Sequence, residues 1–568
     1  MDRVFRGQMT DPEAFVVTVE LVLAPEADGA AIKAAKGIAA DALKDGRVAA
    51  VSITDNPGGN ASLGPDVLGR EILDLGMDVL IHMTCRDLNR AGLESRALQL
   101  SRMGLRNILA LTGDFPGAGY AGKGQPVFDL DAVTLLGLLR NVDARTHGES
   151  AGDGFYLGCG VSPFKAAEAE CVGQYNKLRL KHAMGAEFVI TQLGYDARKF
   201  QELLQIQRTM GIRIPALASV YHLTRGAAKS MHGGSVPGAV VTSKLLERLE
   251  AEAAQGKDAA RDLARERTAR LAAVVKGLGY KGVHIGGFTK GFGPIDGILT
   301  RMAEIEDRWE EFLPDFDNPQ PKSFYMFQPD AQRPGLSSDK MTPRTQKAGV
   351  IERLRLGSMN LAHTLFFRLD SPLAPFYRRV AALLDKTLVG RKVTTVVERA
   401  MKSFLFSCRG CGDCALQHIG FFCPESQCAK HMRNGPCGDS CEGHCGVYSE
   451  RMCVWVRAYN RLATEGKGDT IATEIVAPRM WTCDGCASWL NFHLRRDHQS
   501  LPPEVRKLLE PLPKPAEVEL DPGKAEMKPT LMHGPAAVIA NLDQAPETAE
   551  TAATDPERTD PKPEEVVH

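Results

Sequence analysis

Cysteine is scarce over most of this 568-residue chain, which carries only three of its fourteen cysteines outside residues 408–486. Long apolar runs are also lacking, since no stretch reaches the roughly 18 residues that spanning a bilayer requires. The N-terminal MDRVFRGQMT has no apolar core of a secretory signal. The net charge of −1 gives no reason to expect nucleic acid or an anionic membrane as a partner. We therefore predict a cytoplasmic protein whose thiols stay reduced.

The other eleven cysteines are concentrated in one segment. They are Cys408, Cys411, Cys414, Cys423, Cys428, Cys437, Cys441, Cys445, Cys453, Cys483 and Cys486. In a reducing compartment such a concentration indicates metal ligands rather than disulfides. The Cys408-x2-Cys411-x2-Cys414 spacing favours a [4Fe–4S] cluster, although Cys-x2-Cys pairs also suit zinc. Spacing alone does not divide the eleven thiols among sites.

Residues 15–290 alternate short runs of β-branched residues with longer helical stretches. The eight predicted strands cover residues 16–24, 49–56, 78–85, 107–114, 155–162, 188–195, 214–221 and 282–288. Apolar strands that alternate with amphipathic helices indicate a parallel sheet covered by helices. Eight such units predict an α/β fold, the (β/α)8 TIM barrel. An open doubly wound sheet is the alternative, but no G-x-G-x-x-G follows the first strand.

The composition predicts four segments along the chain. They are a barrel at 10–295, a linker and helical scaffold at 296–403, a cysteine-rich metal-binding domain at 404–500 and a disordered tail at 511–568. The linker is predicted from the Pro, Asp and Gln content of residues 292–345. The tail is rich in Pro, Glu, Ala and Thr, so it cannot bury enough apolar surface to offset chain entropy.

Polar residues stand at the ends of several predicted strands, where a barrel carries its chemistry. Glu20 lies within the apolar run VVTVELVLA, so it must be paired or functional. Burial would raise its pKa toward that of a usable general acid. Plainer interpretations are that His82 is a core histidine, that Asp114 is a turn residue and that Gln192 satisfies a neighbouring backbone group.

Several of these strand ends resemble the motifs of the methylenetetrahydrofolate reductase family. The matching runs are 16-VVTVE, 81-IHMTCRD, 107-NILALTGDFP and 185-GAEFVITQ, in order within residues 10–295. The resemblance implies a flavin-dependent barrel that interconverts 5,10-methylenetetrahydrofolate and 5-methyltetrahydrofolate in one-carbon metabolism. FAD or FMN would be the flavin, and NADH, NADPH or a ferredoxin-like protein the electron donor.

The resemblance also implies roles for single residues. Glu20 would be the general acid, Asp114 would lie near the flavin and the pterin and tune both, and Gln192 would bind the folate. The implied flavin contacts are Thr54, His82, Thr84, Asp114 and Lys181.

The run 408-CRGCGDCALQHIGFFCPESQCAKHMRNGPCG is similar to the cysteine-rich partner subunit of acetogen-type methylenetetrahydrofolate reductases, over roughly residues 390–495. The similarity implies a domain that relays electrons or docks a redox partner protein. Three alternatives remain open: the same site run backwards as a dehydrogenase that oxidises methyltetrahydrofolate, a pterin-binding methyltransferase without flavin, and a zinc-stabilised interaction module. A homo-oligomer is also left open.

Overall fold

The structure is a computed structural model that describes residues 4–148, 154–345 and 349–512. The predicted disordered tail lies outside the described residues from position 513 onward. No helix in the described ranges is both long and apolar enough to cross a membrane.

Eight parallel strands close into a barrel. They are β1 (Val16–Leu21), β2 (Ala50–Ile53), β3 (Val79–Thr84), β4 (Asn107–Leu111), β5 (Tyr156–Val161), β6 (Phe188–Thr191), β7 (Ala216–Tyr221) and β8 (Gly282–Gly286). β1 pairs with both β2 and β8, with Val16 opposite Gly282, so the sheet has no free edge. Each strand falls within a predicted run, which confirms the barrel.

Helices cover the outside of the barrel. They are Ala30–Asp45, Pro65–Asp74, Arg90–Met103, Ala132–His147, Glu168–Ala183, Ala197–Thr209, Arg225–His232, Ser243–Ala254, Lys257–Gly277 and Gly293–Ile305. Local signals set their ends. At the start of helix Ala132–His147, the Asp131 carboxylate accepts from the backbone N–H groups of Val133 and Thr134. Helix Arg90–Met103 ends at Gly104, whose φ of 77° is left-handed.

The N-terminal end of the barrel is closed by an apolar cluster. Phe5, on the short helix Val4–Thr10, packs edge-on against Phe188 with ring centroids 5.4 Å apart, and Tyr156 stacks on Phe188 at 4.9 Å. Full burial of one such side chain stabilises a fold by about 1.5–3 kcal/mol. These packed rings fill the N-terminal end of the barrel.

Residues 292–345, predicted as a linker, contain regular structure. Helix Gly293–Ile305 buries Ile298 and Leu299, and a 3-10 segment follows at Glu306–Phe316. A two-stranded hairpin then joins Phe327–Pro329 to Ser337–Met341. The Pro and Asp content masked these apolar positions, which recur at helical spacing.

The C-terminal part begins with three helices, Val350–Phe366, Ala374–Asp385 and Leu388–Phe406. The last of these buries none of its residues, and Phe404 is 91% exposed. The remaining helical segments are Leu416–Ile419, Pro424–Gln427, Val454–Ala463, Gly468–Thr470, Trp481–Cys483, Ser488–His493, His498–Ser500 and Pro503–Lys507.

A buried ion cluster organises the loops between these short segments. The Arg433 guanidinium donates to Asp413 at 2.8 Å and to Glu425 at 2.9 Å, and all three side chains are almost fully buried. Asp413 also accepts from His498 Nδ1 at 2.5 Å. Removing one member of such a cluster leaves an unpaired buried charge, so the cluster fixes the positions of the loops that carry the cysteines.

Candidate functional site

Three side chains from three strands converge at the C-terminal mouth of the barrel. Glu20 of β1, His82 of β3 and His284 of β8 each place one potential ligand atom within 4.8 Å of the others. Glu20 Oε1 lies 3.9 Å from His284 Nε2, and His284 Nδ1 lies 2.8 Å from Thr18 Oγ1. His82 Nε2 lies 2.6 Å from Ser52 Oγ. The structure thus makes the predicted residues Glu20 and His82 neighbours.

His284 is a member of this cluster that the sequence analysis missed. It is a polar residue within the apolar strand run GVHIGGF, and it is almost fully buried. This is the same signal that singled out Glu20 in the first strand. A search for every ionisable side chain within a predicted strand would have found it.

The pKa of Glu20 is shifted in the direction opposite to our expectation. Burial by itself raises the pKa of this carboxyl, but the hydrogen bond and charge of His284 and the charge of His82 outweigh burial and hold the pKa below its usual value. Burial lowers the pKa of His82 to about 4. The expectation of a raised pKa is therefore wrong, because it took no account of the two histidines.

Thr54 and Thr84, the two threonines expected at the flavin, are buried at neighbouring strand ends. The Asp55 carboxylate accepts from the backbone N–H and the hydroxyl of Thr84, both at 3.0 Å, and from Arg96 at 2.9 Å. The Thr54 hydroxyl donates to the carbonyl oxygen of Leu21 at 3.4 Å. Asp55 and Arg96 therefore fix the ends of β2 and β3 relative to each other.

Asp114 follows β4 and faces groups from two parts of the chain. Its Oδ2 accepts from the backbone N–H of Gly58 at 3.0 Å. Burial and the negative charge of Asp439 raise the pKa of Asp114, while the ammonium group of Lys430 opposes this shift. Asp439 and Lys430 belong to the cysteine-rich segment, so that segment contributes charges to the barrel mouth.

Lys181 and Gln192 both engage backbone carbonyls. Lys181 Nζ donates to Gly160 O at 2.6 Å, and burial lowers the pKa of Lys181 to about 8. Gln192 Nε2 donates to Pro237 O at 3.1 Å, and its Oε1 accepts from the Leu193 N–H at 2.8 Å. The side chain of Gln192 thus satisfies neighbouring backbone groups, and its contact with folate stays a prediction.

Two buried lysines join the cysteine-rich segment to the barrel. Lys430 Nζ donates to Gly113 O at 2.7 Å and pairs with Asp439. From the barrel side, Lys165 Nζ donates to two backbone carbonyls within residues 438–440, at 2.6 and 2.5 Å. The side chains of both lysines are almost completely buried. No sequence signal identified them, because each pairs with groups far away along the chain.

Eight of the eleven clustered cysteines fall into two groups of four. The first group lines one cleft and consists of Cys408, Cys411, Cys414 and Cys423. The second group consists of Cys428, Cys437, Cys445 and Cys453. In this group, negative charge on one thiol raises the pKa of its neighbours. Burial and then Cys437 raise the pKa of Cys428 to about 12, and burial with Cys437 and Cys428 raises that of Cys453 further.

Three cysteines are not counted in these groups of four, although one of them lines the first cleft. Cys441 is exposed, whereas Cys486 also lines the first cleft and Cys483 is buried near it. Thiolates are the ligands that soft metals prefer, so the donor sets of both groups fit a soft metal or an iron–sulfur cluster.

The barrel mouth also offers atoms suited to an organic cofactor. Ser162 Oγ, just after β5, and Ser440 Oγ are buried, and within the described ranges neither has a hydrogen-bond partner. Lys165 and Lys181 already donate to backbone carbonyl oxygens. The two unpartnered hydroxyls are polar groups of the kind that orient an organic ligand in an otherwise apolar pocket, so they fit a flavin or a pterin.

The fold and these sites define a (β/α)8 barrel protein with its chemistry at the C-terminal strand ends and a thiol-rich domain docked beside them. Residues 30–290 match the family model described as methylenetetrahydrofolate reductase. Residues 389–482 match the model described as methylene-tetrahydrofolate reductase C terminal. Residues 30–290, which hold most of the barrel, and residues 389–482, which hold most of the clustered cysteines, thus each match a model named for this enzyme family.

Curated relatives bear the same family name. A probable methylenetetrahydrofolate reductase (NADPH) of Caenorhabditis elegans is 32% identical over 146 residues, which cover 26% of this chain and 20% of that protein. Methylenetetrahydrofolate reductase 1 of Schizosaccharomyces pombe is 29% identical over 184 residues, or 31% of this chain and 28% of that protein. The chain thus spans less than a third of the length of either relative.

Among solved structures, an uncharacterized protein from Clostridium thermocellum that binds two copies of 5-methyl-5,6,7,8-tetrahydrofolic acid covers 54% of this chain. The alignment includes 99% of that protein, at 11% identity and a TM-score of 0.37. A likeness at this TM-score supports no inference about ligands.

Proposed function

We propose that this protein is a flavin-dependent oxidoreductase that interconverts 5,10-methylenetetrahydrofolate and 5-methyltetrahydrofolate. The observation that supports this most directly is the position of Glu20 at the mouth of a barrel of this family. A bound flavin, FAD or FMN, would supply or accept the hydride. Thr54, His82, Thr84, Asp114 and Lys181 are the residues proposed to hold it.

The reaction needs one proton at a defined place. In the reductive direction the bond between the methylene carbon and one folate nitrogen breaks, and that nitrogen takes a proton from Glu20. The methylene carbon, still bound to the other nitrogen, then accepts a hydride and becomes a methyl group. Gln192 is proposed to hold the folate during these steps. Oxidation of methyltetrahydrofolate is the reverse of the same steps, so this site serves either direction.

We further propose that the C-terminal domain holds iron–sulfur clusters that relay electrons or receive them from a redox partner. The support comes from the Cys408-x2-Cys411-x2-Cys414 spacing, which with a fourth thiol elsewhere in the chain is a usual way to hold a four-iron cluster. Zinc is the alternative, because Cys-x2-Cys pairs also suit a tetrahedral zinc site.

Content analysis of protein purified without oxygen tests these assignments against their alternatives. We expect a bound flavin with absorption near about 450 nm, together with iron and acid-labile sulfide. A pterin-binding methyltransferase would contain no flavin. A zinc-stabilised interaction module would contain zinc and show no cluster absorption.

We propose that Lys430 couples the barrel and the cysteine-rich segment electrostatically. Its ammonium lies between Asp439, two residues from Cys437, and Gly113, next to Asp114. Lys430→Met removes a positive charge beside the proposed flavin site, so the more negative reduced flavin becomes less stable. We expect a flavin midpoint potential lower by about 30 mV, which for a two-electron couple corresponds to about 1.4 kcal/mol.

Lys165→Met is the matched control for this measurement. Lys165 is also a buried lysine that bonds across the same interface, but it bonds to residues 438–440 rather than to Gly113. We expect its potential to stay within a few millivolts of the parent protein. Equal shifts in both variants would show a general loosening of the interface and would contradict the assignment of Lys430.

A further inference from the structure

The helix Leu388–Phe406 presents an apolar face to solvent. Eight of its large apolar side chains are 51–91% exposed, namely Leu388, Val389, Val393, Val396, Val397, Met401, Phe404 and Leu405. At about 3.6 residues per turn, all of them except Leu388 fall within one half of the helix circumference. Soluble monomers rarely expose more than a few hundred Å² of contiguous apolar surface, and one such side chain contributes roughly 60–120 Å² when fully exposed. This face therefore marks an interaction site.

The other half of this helix faces the first cysteine group. Thr395, Glu398 and Lys402 line the cleft of that group. Glu398 accepts from Lys402 Nζ at 2.8 Å and from the backbone N–H of Ser488 at 3.0 Å. These contacts fix the rotation of the helix, so its apolar half is held outward. The helix buries none of its residues, so it lies on the surface of the domain.

The residues around this face carry a local excess of positive charge. Residues 374–406 contain seven Lys and Arg against two Asp and Glu, a net charge of +5. Both acids are already paired, Asp385 with Arg496 at 2.6 Å and Glu398 with Lys402 at 2.8 Å. The other six cations therefore find no acidic partner within this segment, and they are Arg378, Arg379, Lys386, Arg391, Lys392 and Arg399. The net charge of the whole chain, −1, hid this local excess in the sequence analysis.

Arg391 and Lys392 flank the apolar half on its two sides. At about 3.6 residues per turn, Arg391 falls just beyond one edge of that half and Lys392 just beyond the other. Both are exposed, and long cationic side chains can extend past an apolar face while their charge stays in water. An apolar half with cations along both edges is the pattern of a helix that lies in the surface of an anionic bilayer. A second copy of the chain would bring two positively charged faces together, which like-charge repulsion opposes.

We propose that the helix Leu388–Phe406 binds the surface of an anionic lipid bilayer, with its apolar half among the acyl chains and its flanking cations at the headgroup phosphates. The helix lies in the surface and does not span the bilayer, because its other half carries charged residues. The first cysteine group borders that other half, so binding holds this group about 10–12 Å, one helix diameter, from the lipid. This inference does not depend on the folate reaction.

Cosedimentation with lipid vesicles tests the proposal on the full-length protein with its cofactors bound. The vesicles are phosphatidylcholine alone or phosphatidylcholine with about 30% phosphatidylglycerol. We expect binding to the anionic vesicles that is at least about tenfold weaker with neutral vesicles or at about 0.5 M salt. Protein that leaves the anionic vesicles unbound would overturn the proposal, and an acidic protein as the natural occupant of this face predicts that outcome.

Val393→Glu combined with Phe404→Glu should weaken binding to the anionic vesicles at least about 100-fold, because both substitutions place a charge among the acyl chains. Val67→Glu combined with Leu98→Glu is the matched control. Val67 and Leu98 are also exposed apolar residues, but they lie on helices of the barrel. The control should bind as the parent protein does, and an equal loss in both pairs would refute the assignment to this helix.

Arg391→Gln combined with Lys392→Gln tests the flanking cations. Each cation near an anionic surface strengthens binding about fivefold, so the pair should weaken it about 30-fold. Arg261→Gln combined with Arg265→Gln removes the same charge from exposed positions on the barrel helix Lys257–Gly277. This control should change binding less than about twofold. Equal weakening by both pairs would show attraction to the net charge of the protein, and the proposal would fail.

A second measurement reports insertion directly. The emission of Phe404→Trp should shift to shorter wavelength when anionic vesicles are added and should be quenched by brominated acyl chains, whereas the emission of Leu98→Trp should not change. Sedimentation velocity without lipid addresses a second copy as the occupant. A dimer that dissociates in the Val393→Glu, Phe404→Glu protein, together with an unchanged Phe404→Trp emission, would assign this face to a second copy and overturn the proposal.

Discussion

Glu20→Gln is expected to slow the folate half-reaction by about 10²–10⁴-fold, the range that general acid catalysis contributes. The substitution keeps the size and polarity of the side chain but removes the proton that the departing nitrogen requires. Reduction of the flavin by its electron donor involves no folate, so its rate should stay within about twofold of the parent rate. Stopped-flow measurement of the two half-reactions separates these effects.

Glu13→Gln is a suitable control, because Glu13 is exposed and lies just before β1, at the N-terminal end of the barrel. It should leave both half-reactions unchanged. If Glu20→Gln also leaves the folate half-reaction near the parent rate, Glu20 is not the acid and the assignment of the barrel site fails.

Cys411→Ser is expected to remove the first metal centre and to interrupt electron entry. Cys411 is buried and lines that cleft with the other three cysteines of the first group and with Cys486. A serine hydroxyl is a poor ligand for a soft metal. Loss of a direct ligand should cost more than the about 10–100-fold that loss of an outer hydrogen-bond partner costs. We expect iron to fall by the content of one cluster and donor-dependent flavin reduction to fall at least about 100-fold.

The exposed Cys441 lies outside both groups of four, and Cys441→Ser provides the matched thiol control. It should keep the full iron content and the parent rate of flavin reduction. Flavin content should be unchanged in both variants, since neither cysteine lies in the barrel. Normal flavin reduction in Cys411→Ser after loss of iron would show that electrons enter the barrel without this centre.

The barrel was predictable from the sequence because its signal is local. Each strand is a short apolar run bounded by helical segments. Such a run can be recognised from its own residues, without knowledge of what it packs against. Glu20 stood out for the same reason, as a charge within an apolar run. The direction of its pKa shift was not predictable, because it depends on His284 and His82, which reach Glu20 only when the barrel closes.

The division of the cysteines into groups likewise depends on contacts that form only on folding. Spacing grouped Cys408, Cys411 and Cys414, whereas the division into two groups depends on loops fixed by the buried Arg433 cluster. Lys430 carried no signal at all, because its partner Gly113 lies more than 300 residues earlier in the chain. Composition also misjudged part of residues 292–345, where buried apolar positions form the last barrel helix.

The most direct test of the proposed function is a single turnover without oxygen. Protein with its flavin reduced is mixed with 5,10-methylenetetrahydrofolate, while flavin absorption and the folate product are followed together. We predict that the flavin reoxidises and that one 5-methyltetrahydrofolate forms for each flavin. Reduced flavin that persists, or product that forms without flavin oxidation, would contradict the proposed function.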